Sequence, residues 1–181
     1  MSQQSRFGAL AIQPALERPE LLGDPVRDAL SSWEHAGAVG VAEIDPELAD
    51  TAAMTEAYDV PLESSANCVV VMGRRGGEER TAACVVRADT RADVNNAVRR
   101  TLDVRKCSFL DHDRAVAETG MEYGGITPIG IPADWRLLVD ASVAEIEHAI
   151  IGSGIRGSKL FLPGELLTRL PRAEIVANLA R

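Results

Sequence analysis

The sequence predicts an α+β fold, a single domain in which helices flank a mixed, mainly antiparallel β-sheet. Two runs rich in β-branched residues, at 66–72 and 81–86, are joined by a charged segment with glycines and predict a hairpin. Helical patterns lie among the predicted strands without the strict alternation of a doubly wound fold. The length of 181 residues suits one domain around one core.

The first part of the chain is predicted to differ from the rest. Residues 1–23 place prolines among polar residues, which favours an irregular arm, and the domain is predicted over residues 24–181. The first helix is predicted to start at Asp24 as N-cap with Pro25 in the first helical position, and to end at Gly37.

The same kinds of signal predict the remaining elements. Asp45-Pro46 repeats the cap-then-proline signal, Thr90 to Asp93 approximates a capping box, and Gly120 suits the position after a helix. The predicted strands lie at 38–44, 136–139, 148–151 and 159–162, and the predicted helices lie at 47–58, 90–102, 111–119 and from Pro163 onward.

Composition argues against several classes of protein. The three cysteines and three histidines show no metal-binding spacing, so the expectation is buried free thiols, no metal and no cofactor. The polar opening Met1 to Arg6 and the lack of a long apolar run predict a cytoplasmic protein without a membrane span. The expected oligomeric state is a monomer or a homodimer, and the sequence leaves these two alternatives open.

The charge balance bears on nucleic-acid partners. A formal net charge of -8 repels a polyanion at long range, which argues against DNA and against strong binding of any nucleic acid by this chain alone. Local clusters can still act within a Debye length of about 10 Å. The candidate clusters are Arg74-Arg75, Arg99-Arg100, Arg105-Lys106, and Arg156 with Lys159.

A glycine-rich loop is the most informative segment for function. It reads Tyr123-Gly124-Gly125-Ile126-Thr127-Pro128-Ile129-Gly130. Glycines allow positive φ and close approach of the backbone, and the proline restrains its own φ and the residue before it. Such a loop can present main-chain N–H groups to a carbonyl or an oxyanion, although a structural turn is an alternative explanation.

A second motif follows, Gly152-Ser153-Gly154-Ile155-Arg156-Gly157, before a strand-like run and a proline-started helix. In this order the two motifs resemble the YbaK and prolyl-tRNA-synthetase-associated domain superfamily of aminoacyl-tRNA deacylases, which carry a G-G-I-S/T-P-x-G loop and then a G-G-x-R-G turn. The resemblance covers residues 38–180. It implies hydrolysis of a mischarged small amino acid from the 3′ end of tRNA, with tRNA as partner and a synthetase as a further one.

The resemblance also implies a set of site residues. Gly124 and Gly125, with the backbone up to Pro128, would hold the ester carbonyl while water attacks, because no Ser-His-Asp triad or Cys-His pair is evident. Asn67 stands where active relatives carry a lysine, and the resemblance therefore makes Asn67 a catalytic candidate. The substrate-binding candidates are Ile126, Thr127, Pro128, Gly154, Arg156, Gly157 and Lys159.

The missing lysine leaves two hypotheses. Lys159 could restore the ammonium from the opposite wall if its side chain faces the pocket, but strand alternation leaves that orientation open. Arg156 is a further cation, suited to a structural or a tRNA-phosphate contact. Alternatively, Asn67 marks lost activity, and the chain is a YbaK-like binding module for a synthetase, the ribosome or an aminoacyl or nucleotide-like ligand.

Overall fold

The computed structural model describes residues 5–181, whose strands form two five-stranded sheets. The strands are β1 (Ser5–Phe7), β2 (Leu10–Pro14), β3 (Gly40–Glu43), β4 (Ala66–Arg75), β5 (Glu78–Arg87), β6 (Cys107–Phe109), β7 (Arg136–Asp140), β8 (Ala149–Gly152), β9 (Ser158–Leu162) and β10 (Ala173–Val176). The helices are α1 (Asp24–Ser32), α2 (Thr51–Tyr58), α3 (Arg99–Leu102), α4 (His112–Thr119) and α5 (Gly164–Leu167).

The α+β class and the mainly antiparallel pairing are confirmed, but the strands divide into two sheets. One sheet has the order β1-β2-β3-β9-β8 and the other the order β10-β7-β5-β4-β6. Strand β7 pairs in parallel with β5 and β10, and the other pairs within residues 5–181 are antiparallel. The hairpin of β4 and β5 turns at Gly76 and Gly77, which both have positive φ.

The structure corrects the prediction of an irregular N-terminal arm. Residues 5–14 form β1 and β2, and β2 pairs with β3 through Gln13 opposite Val41 and Pro14 opposite Gly40. Pro14 is tolerated because it is the last residue of its strand. Residues 1–4 of the predicted arm lie outside the described residues.

The predicted helix starts are confirmed only in part. Asp111 caps α4 by accepting the N–H of Arg114 at 3.2 Å, and Gly120 follows in the left-handed conformation, as predicted. Helix α1 instead has Gly23 as N-cap and Asp24 in its first turn, where the Asp24 carboxylate pairs with Arg27. The helix ends at Ser32, before reaching Gly37. These differences leave the positions of the elements unchanged.

Two predicted helices are interrupted. The segment after Asp45 makes a 3₁₀ turn over Pro46–Leu48, and α2 begins only at Thr51. The predicted helix at 90–102 begins with a π-helical turn over Val94–Val98 instead of at a capping box, because the hydroxyl of Thr90 donates to the Arg87 carbonyl. The short edge strands β6 and β10 were not predicted.

The main apolar core lies between the two sheets. It contains Val41 and Leu160 from one sheet and Val85 and Val139 from the other, all with little or no solvent exposure. A second cluster covers the outer face of the β4–β5 sheet, where Val98 and the rest of the 94–102 segment pack. Among residues 5–181 no helix is long and apolar enough to cross a membrane.

Candidate functional site

A cavity of about 350 Å³ opens where the two sheets approach each other. One wall is the first half of β4, whose outer edge is open because β6 pairs with β4 only at Val71, Met72 and Gly73. The facing wall comes from β8 and β9, and the start of α2, α4 and part of the glycine loop complete the lining. Ser65 bridges to Ile150, which ties the sheets together beside the cavity.

Lys159 faces this cavity and not solvent. It is 7% exposed, and its ammonium donates a hydrogen bond of 2.8 Å to the carbonyl of Ala49. That carbonyl lies in the break before α2, so the interruption of the predicted helix provides an acceptor for the ammonium. Burial lowers the pKa of Lys159 to about 8, while nearby Asp50 raises this pKa and Arg156 lowers it.

Asn67 lies on the β4 wall of the same cavity. Its side-chain oxygen accepts a hydrogen bond of 2.9 Å from the hydroxyl of Thr51. With the amide oriented in this way, the amide nitrogen has no hydrogen-bond partner in the described part of the chain and is able to donate to a ligand. The cavity therefore has an amide on one wall and an ammonium on the facing sheet.

Two further polar side chains line the cavity without an internal partner. The hydroxyl of Ser65 is buried and makes no hydrogen bond to residues 5–181. Asp50 is the N-cap residue of α2, yet its carboxylate neither caps the helix nor pairs with a cation among those residues. A buried hydroxyl without a partner costs about 1–3 kcal/mol, which a ligand or water would recover.

The glycine loop is held against the second motif backbone to backbone. Gly154 donates to the carbonyl of Gly125 at 2.8 Å, and its own carbonyl accepts from Glu122 at 2.9 Å. A Cβ on Gly125 would lie 2.6 Å from the Ile155 carbonyl oxygen, and Gly124 has a φ of +84°. The two glycine motifs, which follow one another along the sequence, therefore pack together in the structure.

The loop glycines differ in what they offer the cavity. Gly124 lines it, and the Gly124 N–H has no acceptor within residues 5–181. Gly125 is buried outside the lining, and its N–H donates to the Glu122 carbonyl at 2.9 Å. Gly125 therefore shapes the loop, whereas Gly124 lines the cavity with an N–H that is not used inside the described part of the chain.

Arg156 braces the loop. Its guanidinium donates to the Pro46 carbonyl at 2.9 Å and to the Tyr123 carbonyl at 3.2 Å, and its main-chain N–H donates to the Glu122 carboxylate at 2.7 Å. These bonds join the turn before α2 to the glycine loop. The side chain is engaged with protein carbonyls and contributes to the cavity through its charge near Lys159.

The other predicted substrate-binding residues divide between the cavity and its supports. Ile126 lines the cavity. Thr127 is fully buried outside the lining, and Pro128 lines a separate cavity of about 190 Å³ beside Trp33. Gly154 packs on the backbone of Gly23 instead of facing the cavity.

Gly157 is likewise a support, since its carbonyl accepts the N–H of Ile44 at 2.9 Å. Cys68 lines the cavity, and burial raises the pKa of its thiol to about 12. The thiol is therefore protonated at neutral pH and is not an activated nucleophile. In the described residues no group of three or more His, Cys, Asp and Glu side chains is placed to hold a metal.

Asp50, Thr51 and Ser65 were not predicted as site residues. Asp50-Thr51 resembles an ordinary helix start, and Ser65 resembles the end of a loop before a strand. Their place at the cavity depends on non-local contacts, the hydrogen bond from Thr51 to Asn67 and the bridge from Ser65 to Ile150, which local sequence does not encode.

Comparisons with known proteins give consistent results. The family model of the aminoacyl-tRNA editing domain matches residues 45–170. The proline–tRNA ligase of Listeria monocytogenes serotype 4a is 26% identical over 113 residues, which cover 62% of this chain and 19% of the ligase. The ligase of Listeria welshimeri is 26% identical over 105 residues, or 58% of this chain and 17% of the ligase. The chain thus spans about a fifth of the length of these curated relatives.

Solved structures share the fold. A proposed trans-editing enzyme for prolyl-tRNA synthetase superposes with a TM-score of 0.72 at 16% identity, covering 86% of this chain and 94% of that one. The hypothetical protein APE2540 superposes with a TM-score of 0.75 at 16% identity, covering 87% of this chain and all of that one (100%). At this level of identity the superpositions establish the architecture alone.

Proposed function

The chain belongs to the aminoacyl-tRNA editing domain family, and on this basis we propose that it hydrolyses the ester joining a small, wrongly attached amino acid to tRNA. The observation that carries the proposal is the ammonium of Lys159 inside the cavity, on the wall facing Asn67. Where the resemblance implies a lysine on the first hairpin strand, this chain supplies the cation from β9.

The cavity matches the polar groups of an aminoacyl ester. Such a substrate carries a cationic α-ammonium beside an ester carbonyl. We assign the α-ammonium to the uncommitted carboxylate of Asp50. We assign the ester carbonyl to the ammonium of Lys159, the amide nitrogen of Asn67 and the N–H of Gly124. Preorganised donors of this kind stabilise the developing oxyanion, and loss of one costs about 10²–10³ in rate.

The proposed chemistry needs no covalent intermediate. Water adds to the ester carbonyl carbon, the bond from that carbon to the ribose oxygen breaks, and the ribose oxygen takes a proton. The products are a free amino acid and uncharged tRNA. The high pKa of the Cys68 thiol supports direct attack by water over a thioester route.

The tRNA for proline is the first substrate to test, because the curated relatives are proline–tRNA ligases and a superposed structure is a proposed trans-editing enzyme for prolyl-tRNA synthetase. The limited cavity volume and the buried hydroxyl of Ser65 favour a small or hydroxyl-bearing amino acid. We propose a site of action in the cytoplasm, beside a synthetase that supplies additional tRNA affinity.

A panel of esters tests the proposal. Purified protein is incubated with tRNA for proline charged with alanine, serine, threonine or proline, and ester half-lives are compared with a no-enzyme control. Faster loss of at least one mischarged ester than of the prolyl ester is the expected result. If every ester persists as long as in the control while charged tRNA still binds, the chain is a binding module and not a deacylase.

A further inference from the structure

Two exposed aromatic side chains stand at the mouth of the cavity. Phe109 is 63% exposed and Tyr123 is 53% exposed, and both line the opening. The Tyr123 ring packs against His112, with centroids 4.4 Å apart and an interplanar angle of 36°. Exposed aromatic rings beside a polar cavity offer a surface on which nucleobases can stack.

A cationic segment leads to the mouth along one edge strand. Arg105 and Lys106 immediately precede β6, which ends at Phe109 and is the outer strand of its sheet. Both side chains are exposed, and neither forms an ion pair within residues 5–181. Asp103, the nearest acid before them, is already paired with Arg75 and Arg80.

The backbone of this segment lies in close contact with β4. A Cβ on Gly73 would lie 2.4 Å from the Lys106 carbonyl oxygen, so the backbone before β6 is packed tightly on β4. The rise of a strand puts Lys106 roughly 10 Å from Phe109. Cations and an aromatic ring at this spacing suit the alternating phosphates and bases of a single strand.

From these observations, and resting on the proposed function, we propose that β6 binds the single-stranded 3′ end of the RNA. Phe109 and Tyr123 stack the terminal base at the mouth, which directs its ribose ester into the cavity. Arg105 and Lys106 contact phosphates of the preceding nucleotides. A local surface of this kind gives an acidic chain affinity for RNA without a basic overall charge.

The test measures binding and hydrolysis separately. The binding probe is a fluorescein-labelled, uncharged RNA hairpin with a single-stranded 3′ CCA end, and a blunt hairpin serves as its comparison. The hydrolysis probe is the 3′-alanyl ester of adenosine, which lacks the preceding phosphates. Wild-type protein should bind the overhanging hairpin more tightly than the blunt one.

Phe109→Ala should weaken binding of the overhanging hairpin about tenfold, and Phe109→Trp should retain it. Ile175→Ala, which removes an exposed side chain on the opposite edge strand β10, is the matched control and should have no effect. Equal binding by Phe109→Ala and wild type would overturn the stacking surface.

Arg105→Ala and Lys106→Ala should each make the dependence of binding on log salt shallower by about 0.7, the single-strand value for one phosphate. Arg6→Ala, an exposed arginine on β1 of the other sheet, should leave that slope unchanged. Neither cation variant should slow hydrolysis of the adenosine ester. The inference would be overturned if the variant that combines Arg105→Ala with Lys106→Ala had an unchanged salt slope, or if wild-type protein bound the overhanging and the blunt hairpin equally. In either case, hydrolysis of the adenosine ester would still support the proposed function.

Discussion

The ammonium of Lys159 donates a hydrogen bond of 2.8 Å to the carbonyl of Ala49, which lies 110 positions earlier in the chain. The bond joins β9 to the turn that precedes α2, and both residues line the cavity. It fixes a cation opposite Asn67 and leaves the remaining ammonium protons available to a substrate carbonyl.

The first prediction concerns pH. Because burial lowers the pKa of Lys159 to about 8, the ammonium is present below this pH and is lost as pH rises through it. If the ammonium is the working form, the ratio of enzymatic to buffer hydrolysis should fall above about pH 8. A pH–rate profile under single-turnover conditions measures this ratio. A ratio that stays flat to pH 10 would show that the charge of Lys159 has no part in the reaction.

The second prediction concerns Asp50. If its carboxylate receives the substrate α-ammonium, Asp50→Asn should raise KM for an aminoacyl ester by about tenfold, the order of one charge-assisted hydrogen bond. N-acetylated substrate has no ammonium and, at a pH well below the pKa of Lys159, should be hydrolysed alike by Asp50→Asn and wild type. Since Asp50 also raises the pKa of Lys159, the inflection of the pH–rate profile should move to lower pH. Equal loss on both substrates would assign Asp50 a structural role.

The third prediction compares two glycines with positive φ. A Cβ on Gly124 would lie 2.5 Å from a guanidinium nitrogen of Arg156, whereas a Cβ on Gly76 would meet nothing within 4 Å. The backbone strain of a left-handed alanine, about 1–2 kcal/mol, applies to both. Gly124→Ala should therefore displace Arg156 and reduce deacylation at least tenfold, and Gly76→Ala should retain wild-type rates. Equal rates in the two variants would show that the conformation of the glycine loop at Gly124 has no part in the reaction.

The fourth prediction concerns a lysine introduced at position 67 on β4. Asn67→Lys places a second ammonium beside Lys159, and the repulsion should lower activity. Combining Asn67→Lys with Lys159→Met removes the repulsion and should recover part of that activity. Asn67→Ala controls for loss of the Thr51 hydrogen bond. Single-turnover rates of wild type, Asn67→Lys, Lys159→Met, the double variant and Asn67→Ala decide the matter. Additive losses in the double variant would contradict the idea that one cation serves either wall.

The sequence was sufficient for the fold class. The absence of Cβ atoms at Gly124 and Gly125 predicted close approach of the backbone to a ligand carbonyl, whereas the contact that the structure shows at Gly125 is with Gly154 of the second motif and was not predicted. The strands at 5–14 were missed because the pairing of β2 with β3 is non-local, and because Pro14 and the nearby Pro19 and Pro25 suggest irregular structure.

Within the candidate site, the sequence predicted the glycine loop, whose backbone conformation depends on local residue types. It did not predict which side chains face the cavity. The orientation of Lys159 depends on register, since a shift of one residue would turn its side chain to the other face. Pro128 lies outside the main cavity because the loop turns away from it after Ile126. The residue types in the loop do not encode this change of direction.

The most direct test of the proposal is the single-turnover deacylation rate of alanyl-tRNA for proline by wild type and by Lys159→Met. Methionine fills similar volume without a charge, so folding can be checked independently by thermal unfolding. We expect Lys159→Met to bind the charged tRNA and to lose about 10² or more of the rate above background. If Lys159→Met hydrolyses the ester as fast as wild type, the buried ammonium is not part of the site and the proposed mechanism is contradicted.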